Sequence, residues 1–428
     1  MTVVSKSSAF PKSVQPGIPA LGPKPAGWLR GPLSAHLFEK QRPIHMTDDA
    51  EYRLVTVKRS RGGVVTRENL KGREISVKSQ FLLHPGDFLI SKRQIVHGAC
   101  GIVPAELEGS IASNEYAILR GKPTVDLEFL NYLAHSIYFQ QTCFHSSIGV
   151  HVEKMIFKLD RWLSWDFDLP PLPEQRKIAE ILSTWDAAIS AQERLIANAR
   201  AQKKALMQIL LPTGAHPPKK RLPGFSGEWR EIKLRELGRC YNGVTYAPAD
   251  VVDGKNGLLI LRSSNVQNGR LDFADTVFVK PGVKTSCLTR EGDILICVRN
   301  GSRNLIGKTA RITSDATGHA HGAFMSLFRS TEPDFAYHLF KSHTYDQQVK
   351  RNLGATINSI NTSDLHNFRF MVPPKPERAR IAEILSANDR EIEHHEKLLL
   401  GTCAQKSALM QQLLTGKRRV KIEAVANA

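Results

Sequence analysis

Three polar runs in this sequence carry side chains that can recognise the edges of nucleic-acid bases. Arginine presents paired donors that match the acceptors of guanine, and asparagine or glutamine matches adenine. The runs lie at 262–270, 299–304 and 358–363, after segments that read as strands. Rigid strands commonly display functional loops, although ordinary turns favour the same residue types. The candidate base contacts are Arg262, Ser263, Asn265, Gln267, Asn268, Arg299, Asn300, Ser302, Arg303, Asn304, Asn358 and Asn361.

A basic stretch lies in the first third of the chain. Residues 53–78 contain eight Lys or Arg against two acidic residues, and Gly62-Gly63 indicates a loop in their middle. Such clusters contact phosphate backbones, but a solvated surface would have the same composition. The candidates are Lys58, Arg59, Arg61 and Arg67, with Lys92 and Arg93 after the next predicted strand.

The composition favours a polyanionic partner. The 428 residues include 59 Lys+Arg and 41 Asp+Glu, a net charge of +18, and 41% of residues are hydrophobic. This apolar share is typical of globular domains and excludes a largely disordered, collagenous or disulfide-scaffold chain. Nucleic acid is the commonest partner of so basic a protein. A merely basic surface is the alternative.

No catalytic or cofactor motif is apparent. There is no GxGxxG or P-loop motif, and none of the three Pro-Pro pairs has the Asn/Asp and aromatic flanks of an amino-methyltransferase loop. Asp87 and Asp293 occur in Gly-Asp turns without a second acid, so we expect turn residues rather than metal ligands. The pairs His319/His321 and His394/His395 are weak metal signals. We expect no metal and no cofactor in this chain.

The cysteines and the apolar segments favour a cytoplasmic protein. The six cysteines are scattered without a CxxC pair, which indicates reduced thiols. The longest uncharged stretch, 129–152, contains polar residues that exclude a membrane span, and the N-terminus lacks a secretory signal.

An internal duplication dominates the sequence. The run PPLPEQRKIAEILS at 170–183 recurs as PPKPERARIAEILS at 373–386, and ALMQ recurs at 205 and 408, all at an offset of 203. The strand motifs GDFLI at 86 and GDILI at 292 correspond more loosely, at an offset of 206. The order is therefore variable domain, shared helix, variable domain, shared helix.

Each shared segment reads as a long helix. Residues 174–211 contain no Gly or Pro, and 377–414 contain only Gly401, so each helix would be about 57 Å long. A sustained 4-3 apolar spacing predicts a coiled-coil seam, although the spacing alone would also fit an amphipathic helix on a core. The repetition favours pairing between the two copies. The seam residues are Ile178, Leu182, Trp185, Ile189, Ile196, Leu206 and Leu210, and Ile381, Leu385, Ile392, Leu399, Leu409 and Leu413.

Polar residues interrupt both seams at equivalent places. Gln192 aligns with His395, and Lys203 aligns with Lys406. These side chains either set the register of the pair or lie where the stripe turns to solvent, and the sequence favours neither.

The predicted fold is α/β (mixed α+β), with two variable domains separated by two long coiled-coil helices in an internal pseudo-twofold repeat. Predicted strands are Phe81–Ser91, Leu258–Arg262, Leu288–Val298 and Phe324–Arg329, and predicted helices are Leu127–Phe139 and Phe335–Val349. The predicted segments are a mobile Pro-rich tail (1–26), domain 1 (27–169), helix 1 (170–212), a linker (213–224), domain 2 (225–372), helix 2 (373–416) and a basic tail (417–428).

The repeated Pro-Pro-x-Pro-Glu…Ile-Ala-Glu-Ile-Leu-Ser runs resemble the specificity (S) subunit of type I restriction-modification systems. The GDxLI strands and the segment Gly354-Ala355-Thr356-Ile357…Ile360-Asn361 fit that family too, and the resemblance covers about 27–416. The first domain departs from the pattern, because it has Gly149-Val150-His151-Val152 where a Gly-Ala-Thr-Ile-like loop is expected. The Pro-rich N-terminal tail is also unusual.

The resemblance implies a non-catalytic DNA-binding subunit. Each target-recognition domain would read one half of a bipartite, asymmetric site in double-stranded DNA. The two long coiled-coil helices would pack antiparallel as a spacer that sets the gap and docks two modification (methyltransferase) subunits. Those subunits would bind S-adenosylmethionine and methylate adenine, and motor–nuclease restriction subunits would join for cleavage. The alternatives are a related combined restriction-methylation (type IIB-like) specificity subunit, an enzyme (nuclease or methyltransferase) in its own right, and an RNA-binding scaffold.

Overall fold

The computed structural model describes residues 14, 17–212, 214, 221–254, 256–282, 287–353 and 358–422. The chain divides into two compact units, residues 1–191 with 399–428 and residues 192–398. Each unit therefore contains one mixed domain, the N-terminal half of one long helix and the C-terminal half of the other.

The first unit contains twelve strands and three short helices among its described residues. The strands are β1 (Leu29–Pro32), β2 (Leu37–Glu39), β3 (Glu51–Val57), β4 (Val64–Lys71), β5 (Gln80–Leu82), β6 (Phe88–Ser91), β7 (Cys100–Ile102), β8 (Ile111–Ser113), β9 (Tyr116–Gly121), β10 (Ser147–Ile148), β11 (Ile156–Phe157) and β12 (Asp166–Leu169). The helices are α1 (Leu127–Leu133), α2 (Ile137–His145) and α3 (Leu159–Leu163), and α4 (Leu172–Leu210) follows.

The second unit has the same number of strands in its described part. They are β13 (Arg230–Lys233), β14 (Gly238–Asn242), β15 (Val251–Val252), β16 (Leu258–Leu261), β17 (Val266–Gln267), β18 (Arg270–Leu271), β19 (Phe278–Val279), β20 (Ile294–Cys297), β21 (Thr309–Arg311), β22 (Ala320–His321), β23 (Met325–Ser330) and β24 (Arg369–Val372). The helices are α5 (Pro333–Leu339), α6 (His343–Asn352), α7 (Thr362–Asn367) and α8 (Lys375–Leu414).

The duplication seen in the sequence is also a duplication of topology in the first sheet of each unit, while the second sheets differ in where their parallel pair lies. The first unit has four-stranded sheets ordered β2-β9-β6-β7 and β4-β3-β8-β5, and the second has β14-β23-β20-β21 and β15-β19-β16-β22. The second sheet of each unit contains one parallel pair, β3 with β8 and β16 with β22. An antiparallel ribbon, β1-β12 or β13-β24, leads from each domain into its long helix.

Each domain packs its core against the long helices of its own unit. In the first unit, buried Phe88, Phe129 and Trp162 belong to one cluster with Leu182 of α4 and Leu413 of α8. In the second unit, the corresponding cluster joins the buried faces of its sheet and short helices to the other halves of α4 and α8. These apolar contacts position each domain on the helices of its unit.

The two Gly-Asp turns hold equivalent buried ion pairs. Asp87, with no exposed side-chain surface, pairs with Arg42 and Arg120 at 2.8 Å and accepts a hydrogen bond from the His84 amide. Asp293 pairs with Arg329 at 2.7 Å in the same position of the second domain. Both aspartates are therefore structural residues of their turns, as predicted, because arginine side chains pair with their carboxylate oxygens.

Within each unit the two long helices run antiparallel. In the first unit, Asp186 of α4 pairs with Lys406 of α8, and in the second, Lys203 of α4 pairs with Asp389 of α8. Gln192 Nε2 lies 2.7 Å from His395 Nδ1 and donates to the His395 carbonyl at 3.0 Å. The polar interruptions therefore face the opposite helix, and the solvent-facing alternative is wrong for them.

The predicted seam residues lie on the inner sides of these helices. Ile178, Leu182, Ile196, Leu210, Ile381, Leu385, Ile392 and Leu413 are buried, and Trp185, Ile189, Leu206, Leu399 and Leu409 are half-buried. Gly401 is exposed and does not interrupt α8.

Several predicted elements differ in detail from the structure. The predicted strand Phe81–Ser91 is two strands, β5 and β6, separated by the Gly-Asp turn. The predicted helix Leu127–Phe139 breaks into α1 and α2 because the Ser136 side chain caps a new helix by accepting from Phe139 N. The predicted helix Phe335–Val349 breaks in the same way at Ser342. Local capping thus overrides the apolar pattern.

The terminal segments are only partly described. Gly22 and Ala26 accept hydrogen bonds from Arg30 and Arg419, so this end of the predicted mobile tail is anchored, which corrects the prediction there. The family-like segment Gly354–Ile357, most of residues 1–16, most of the linker and residues 423–428 lie outside the described residues. Within the described part of the chain, no helix has the length and apolarity needed to cross a membrane.

Candidate nucleic-acid interface

The three polar runs predicted in the second domain converge at the end of strand β20. The Asn300 side chain donates to Ser263 Oγ at 2.9 Å, which joins the first and second runs. Arg299 forms a β-bridge with Ser359, and the Ile360 amide donates to the Val298 carbonyl at 2.8 Å, which joins the third. We call Ser263, Arg299, Asn300 and Ser359 the second loop cluster.

The backbone of this cluster is rigid because strand pairing holds it on both sides. The amides of Val298 and Arg299 donate to the Phe324 carbonyl at 3.0 and 3.1 Å. Asn300 Oδ1 accepts from the Ser302 amide at 2.9 Å, which closes the turn after the strand. Buried strand β20 thus ends in a fixed turn that presents polar side chains.

Asn265 is not part of this surface. It is fully buried, it accepts from the Arg262 amide at 2.9 Å, and it donates to the carbonyls of Asp272 and Asp275 at 2.8 and 2.7 Å. The prediction that Asn265 contacts a base is wrong, because its amide is used to close its own loop.

The Gln267–Arg270 run forms a hairpin turn and is not joined to the cluster by any described contact. Asn268 and Gly269 both have positive φ (50° and 78°), as a two-residue hairpin requires. Arg270 pairs with Glu396 of α8 at 2.5 Å, and Gln267 donates to the Ser264 carbonyl at 3.1 Å. A role for Gln267 and Asn268 in base contact stays a prediction.

The first domain builds an equivalent cluster from different residues. The turn of the β3-β4 hairpin brings Arg59 to Gln94, with Nε donating to Oε1 at 2.9 Å, and to Glu153, with Nη2 donating at 2.8 Å. The Phe157 amide donates to the Lys92 carbonyl at 2.8 Å, just as Ile360 does to Val298 in the second domain. We call Arg59, Gln94 and Glu153 the first loop cluster.

Since Phe157 and Ile360 are equivalent, residues 155–160 correspond to the third polar run of the second domain, and residues 148–154 directly precede them. Val150 is 96% exposed there, and Gly149 has a φ of 154°. In the sequence, Gly149–Val152 stand out only as a departure from the family pattern, and Glu153 was not predicted as a site residue. The recurring offset between the domains is the signal that could have found it.

Arg61 faces inward and not toward a ligand. Its side chain lies against Gly98, and burial lowers the pKa of its guanidinium below the ordinary value. Its amide donates to the Gly98 carbonyl at 2.8 Å. The prediction of Arg61 as an outward phosphate contact is therefore wrong in this conformation.

Several of the other basic candidates have local partners. Lys92 donates to the Asn114 carbonyl at 3.0 Å, Arg67 pairs with Glu68 at 3.0 Å, and Arg262 pairs with Asp275 at 2.7 Å. These side chains must exchange an intramolecular partner to bind an anion.

The predicted site residues differ widely in exposure. Those exposed are Lys58, Arg59, Arg67, Arg93, Gln267, Asn268, Arg299, Ser302, Arg303, Asn304, Asn358 and Asn361; those half-buried are Arg61, Lys92, Arg262, Ser263 and Asn300.

No metal site forms in the part of the chain that the structure describes, where no three His, Cys, Asp or Glu side chains come together to hold an ion. His321 is buried, with its ring nitrogens 3.1 Å from the carbonyls of Cys287 and Tyr241. Burial lowers the pKa of His321 and of His319. His395 contacts Gln192.

The fold and the two clusters define a duplicated binding protein whose domains share one sheet topology and present different side chains at its strand ends. The family model for the type I restriction modification DNA specificity domain matches residues 45–199 and 227–400. The chain therefore belongs to this family, and the resemblance drawn from the repeated motifs is confirmed.

Individual relatives agree with this assignment. The chain is 28% identical over 307 residues to the type I restriction enzyme MjaVIII specificity subunit of Methanocaldococcus jannaschii, covering 68% of this chain and 70% of that relative. The solved type I restriction-modification system S subunit from M. genitalium has the same fold, with a TM-score of 0.58 and 14% identity over 94% of this chain and 98% of that one. A chain from a structure of type I system assembly and conformational transition matches with a TM-score of 0.56 and 19% identity, over 92% and 99% of the two chains.

Proposed function

We propose that this chain is the non-catalytic DNA-recognition subunit of a type I restriction-modification complex in the cytoplasm. Each domain reads one half of a bipartite, asymmetric site in double-stranded DNA through its loop cluster. The observation that carries the proposal is that equivalent strand ends present different side chains in the two domains: Arg59, Gln94 and Glu153 in one, Ser263, Arg299 and Asn300 in the other. Two different reading surfaces on one repeated scaffold suit two different half-sites.

Charge supports a duplex partner. The net charge of +18 favours phosphate contacts, while the cluster residues supply hydrogen-bonding groups for bases. For a protein that neutralises about six phosphates, affinity falls by roughly 10³ between about 50 and 200 mM salt. We expect this steep dependence for cognate and unrelated duplexes alike, with single-stranded RNA competing poorly.

The partners would be two modification subunits docked on the long helices, with restriction subunits joining for cleavage. The modification subunits would bind S-adenosylmethionine and transfer its methyl group to adenine. The role of this chain would be to hold both half-sites in register, and it would need no cofactor of its own.

Methylated adenines mapped genome-wide, in cells with and without the gene, test the proposal. We expect one two-part motif with an unspecified gap to lose methylation when the gene is deleted. In vitro, the purified chain alone should neither methylate nor cleave DNA, and methylation should appear only with its modification subunits. Methyl transfer or cleavage by the chain alone, or an unchanged methylation map, contradicts the proposal.

A further inference from the structure

The two domains carry an arginine at the same structural position, but a different type of side chain lies beside it in each domain. Strand β6 pairs Ser91 with Tyr116, and strand β20 pairs Cys297 with Met325. Arg93 and Arg299 lie two residues after the ends of β6 and β20. Glu115 and Phe324 lie one residue before the starts of the partner strands, β9 and β23. The amide of Lys92 donates to the Glu115 carbonyl at 2.9 Å, as that of Val298 does to Phe324 at 3.0 Å.

In the first domain, a carboxylate forms an ion pair with the arginine. Arg93 Nε donates to Glu115 Oε2 at 2.5 Å, and Nη2 donates to Oε1 at 3.2 Å. This two-point contact uses the pair of donors that an arginine would present to guanine O6 and N7. The ion pair raises the pKa of Arg93 further above its ordinary value.

In the second domain, an aromatic ring replaces the carboxylate. The Arg299 guanidinium lies over the Phe324 ring, with 5.9 Å between Cζ and the ring centroid. A ring face fixes the plane of a guanidinium and leaves its N–H edge free. In the part of the chain that the structure describes, no carboxylate is paired with Arg299.

Exposure agrees with a ligand-facing role for this pair. Phe324 is 56% exposed, although it directly precedes the buried strand β23. It lies against Arg299 of the second loop cluster, whose amide also donates to the Phe324 carbonyl. A large apolar side chain left at the edge of a polar loop cluster contributes little to the core.

We infer that Arg299, positioned by Phe324, reads a guanine in the half-site of the second domain, and that Glu115 withholds the equivalent Arg93 from this role in the first. The inference rests on the proposed function. It adds the base that is recognised, guanine, and the residue pair that determines this part of the specificity. Positions 93/115 and 299/324 are thus specificity-determining pairs, with Phe324 and Glu115 as positioning residues.

Selection from a randomised duplex pool, using the purified full-length chain, tests the inference. The wild type should yield a two-part motif. Arg299→Ala should lose the guanine preference at one base pair of one half-site and bind the wild-type sequence roughly 10- to 100-fold more weakly. Arg299→Lys should retain only part of the preference, because an ammonium group can donate to guanine O6 or N7 but lacks the rigid two-point fork.

Two further variants exchange the positioning residues. Phe324→Glu should reproduce the loss seen in Arg299→Ala, because the new carboxylate would bind Arg299 as Glu115 binds Arg93. Glu115→Phe should introduce a new guanine preference in the other half-site. Arg230→Ala, which removes an exposed arginine of β13, serves as the matched control and should leave the motif unchanged.

The outcomes separate the inference from the proposed function. A wild-type two-part motif that survives unchanged in Arg299→Ala overturns the inference and leaves the proposed function standing. An affinity loss in Arg299→Ala that is equal for all sequences assigns the residue to phosphate and also overturns it. Failure of the wild type to select any duplex motif overturns the proposed function and the inference with it. Thermal unfolding of each variant shows whether its fold is retained.

Discussion

Buried carboxylates at the starts of the long helices are held by arginines from distant parts of the chain. In the second unit, Arg221 binds Glu377 through Nε and Nη2 at 3.0 and 2.7 Å, and in the first, Arg419 binds Glu174 at 2.6 and 2.7 Å. Both glutamates belong to the repeated Pro-Pro-x-Pro-Glu motif. The motif is thus structural in part, since its carboxylate anchors the segment that carries the arginine.

Replacing Arg221 should destabilise the protein more than replacing Glu377. Arg221→Ala strands a carboxylate whose side chain is only 1% exposed, at a cost of about 3 kcal/mol. Glu377→Gln leaves a partly exposed arginine that can turn to solvent, so its cost should be smaller. Urea unfolding measures both, and the double variant should recover part of the loss. If the free energy of unfolding of Arg221→Ala were equal to that of Arg230→Ala, this account would be contradicted.

The long helices are matched by charge as well as by apolar side chains. Lys203–Asp389 and Lys406–Asp186 are equivalent pairs, since both members differ by the repeat offset. The lysines also approach rings at equivalent positions, Lys203 at 5.9 Å from Tyr337 and Lys406 at 5.3 Å from Tyr132. Tyr132 donates to Asp186 at 2.7 Å. These clusters fix the register of the antiparallel halves in each unit.

Exchanging the charges of one pair tests this register. Lys203→Asp places two carboxylates together and should cost about 2 kcal/mol, as should Asp389→Lys, which places two ammonium groups together. The double exchange should recover at least half of the summed loss. Chemical unfolding provides the measurement, with the same exchange at Asp186 and Lys406 as the matched comparison. Additive losses in the double variant would show that the pair does not set the register.

A buried histidine of α5 should make the second unit sensitive to acid. His338 lies 2.9 Å from Ser386 Oγ and 4.0 Å from Asp389. Burial, with the nearby charges of Lys203, Arg311 and Lys341, lowers its pKa to about 3. Below pH of about 6.5, the unfolded chain takes up a proton that the folded chain does not.

Stability therefore falls as the pH drops from about 6.5 toward 3, by about 1.4 kcal/mol per pH unit from this group. His338→Gln should remove that part of the pH dependence while keeping a hydrogen bond to Ser386. Unfolding free energies measured from pH 7 to pH 4.5 provide the comparison. His394→Gln, at an exposed position of α8, is the control. An unchanged pH slope in His338→Gln would contradict the assignment.

At the scale of the whole molecule, a duplicated module builds two domains that have different surfaces. The β2-β9-β6-β7 and β14-β23-β20-β21 sheets of the two units correspond strand by strand, whereas the residues at the strand ends differ, as Arg93/Glu115 and Arg299/Phe324 show. A duplicated scaffold with divergent loops suits an asymmetric DNA site. The lengths of α4 and α8, 39 and 40 residues, would then set the gap.

Lengthening both helices in register should widen the unspecified gap without changing either half-site. Seven residues add about 10 Å to a helix, which corresponds to roughly three base pairs, so the methylated motif should keep both halves with a longer gap. Methylated-adenine mapping in cells that carry the variant provides the measurement. Lengthening α4 alone should abolish methylation by breaking the register. Changed half-site sequences would contradict the role of the helices as a ruler.

The sequence by itself determined the duplication, the two long helices and the family, because local apolar periodicity and exact repeats are visible without coordinates. It also identified Arg299, Asn300 and Ser263 as polar loop residues, since a polar run that follows an apolar strand segment indicates a turn. Only the tertiary structure decided which of these side chains face outward. Asn265 is buried because hydrogen bonds within its own loop satisfy its amide, and Arg61 turns inward against Gly98, which a different strand end brings to it. Glu115 and Phe324 could be recognised as neighbours of an arginine only when strand pairing placed them beside it. Such pairings depend on long-range packing, which no local pattern encodes.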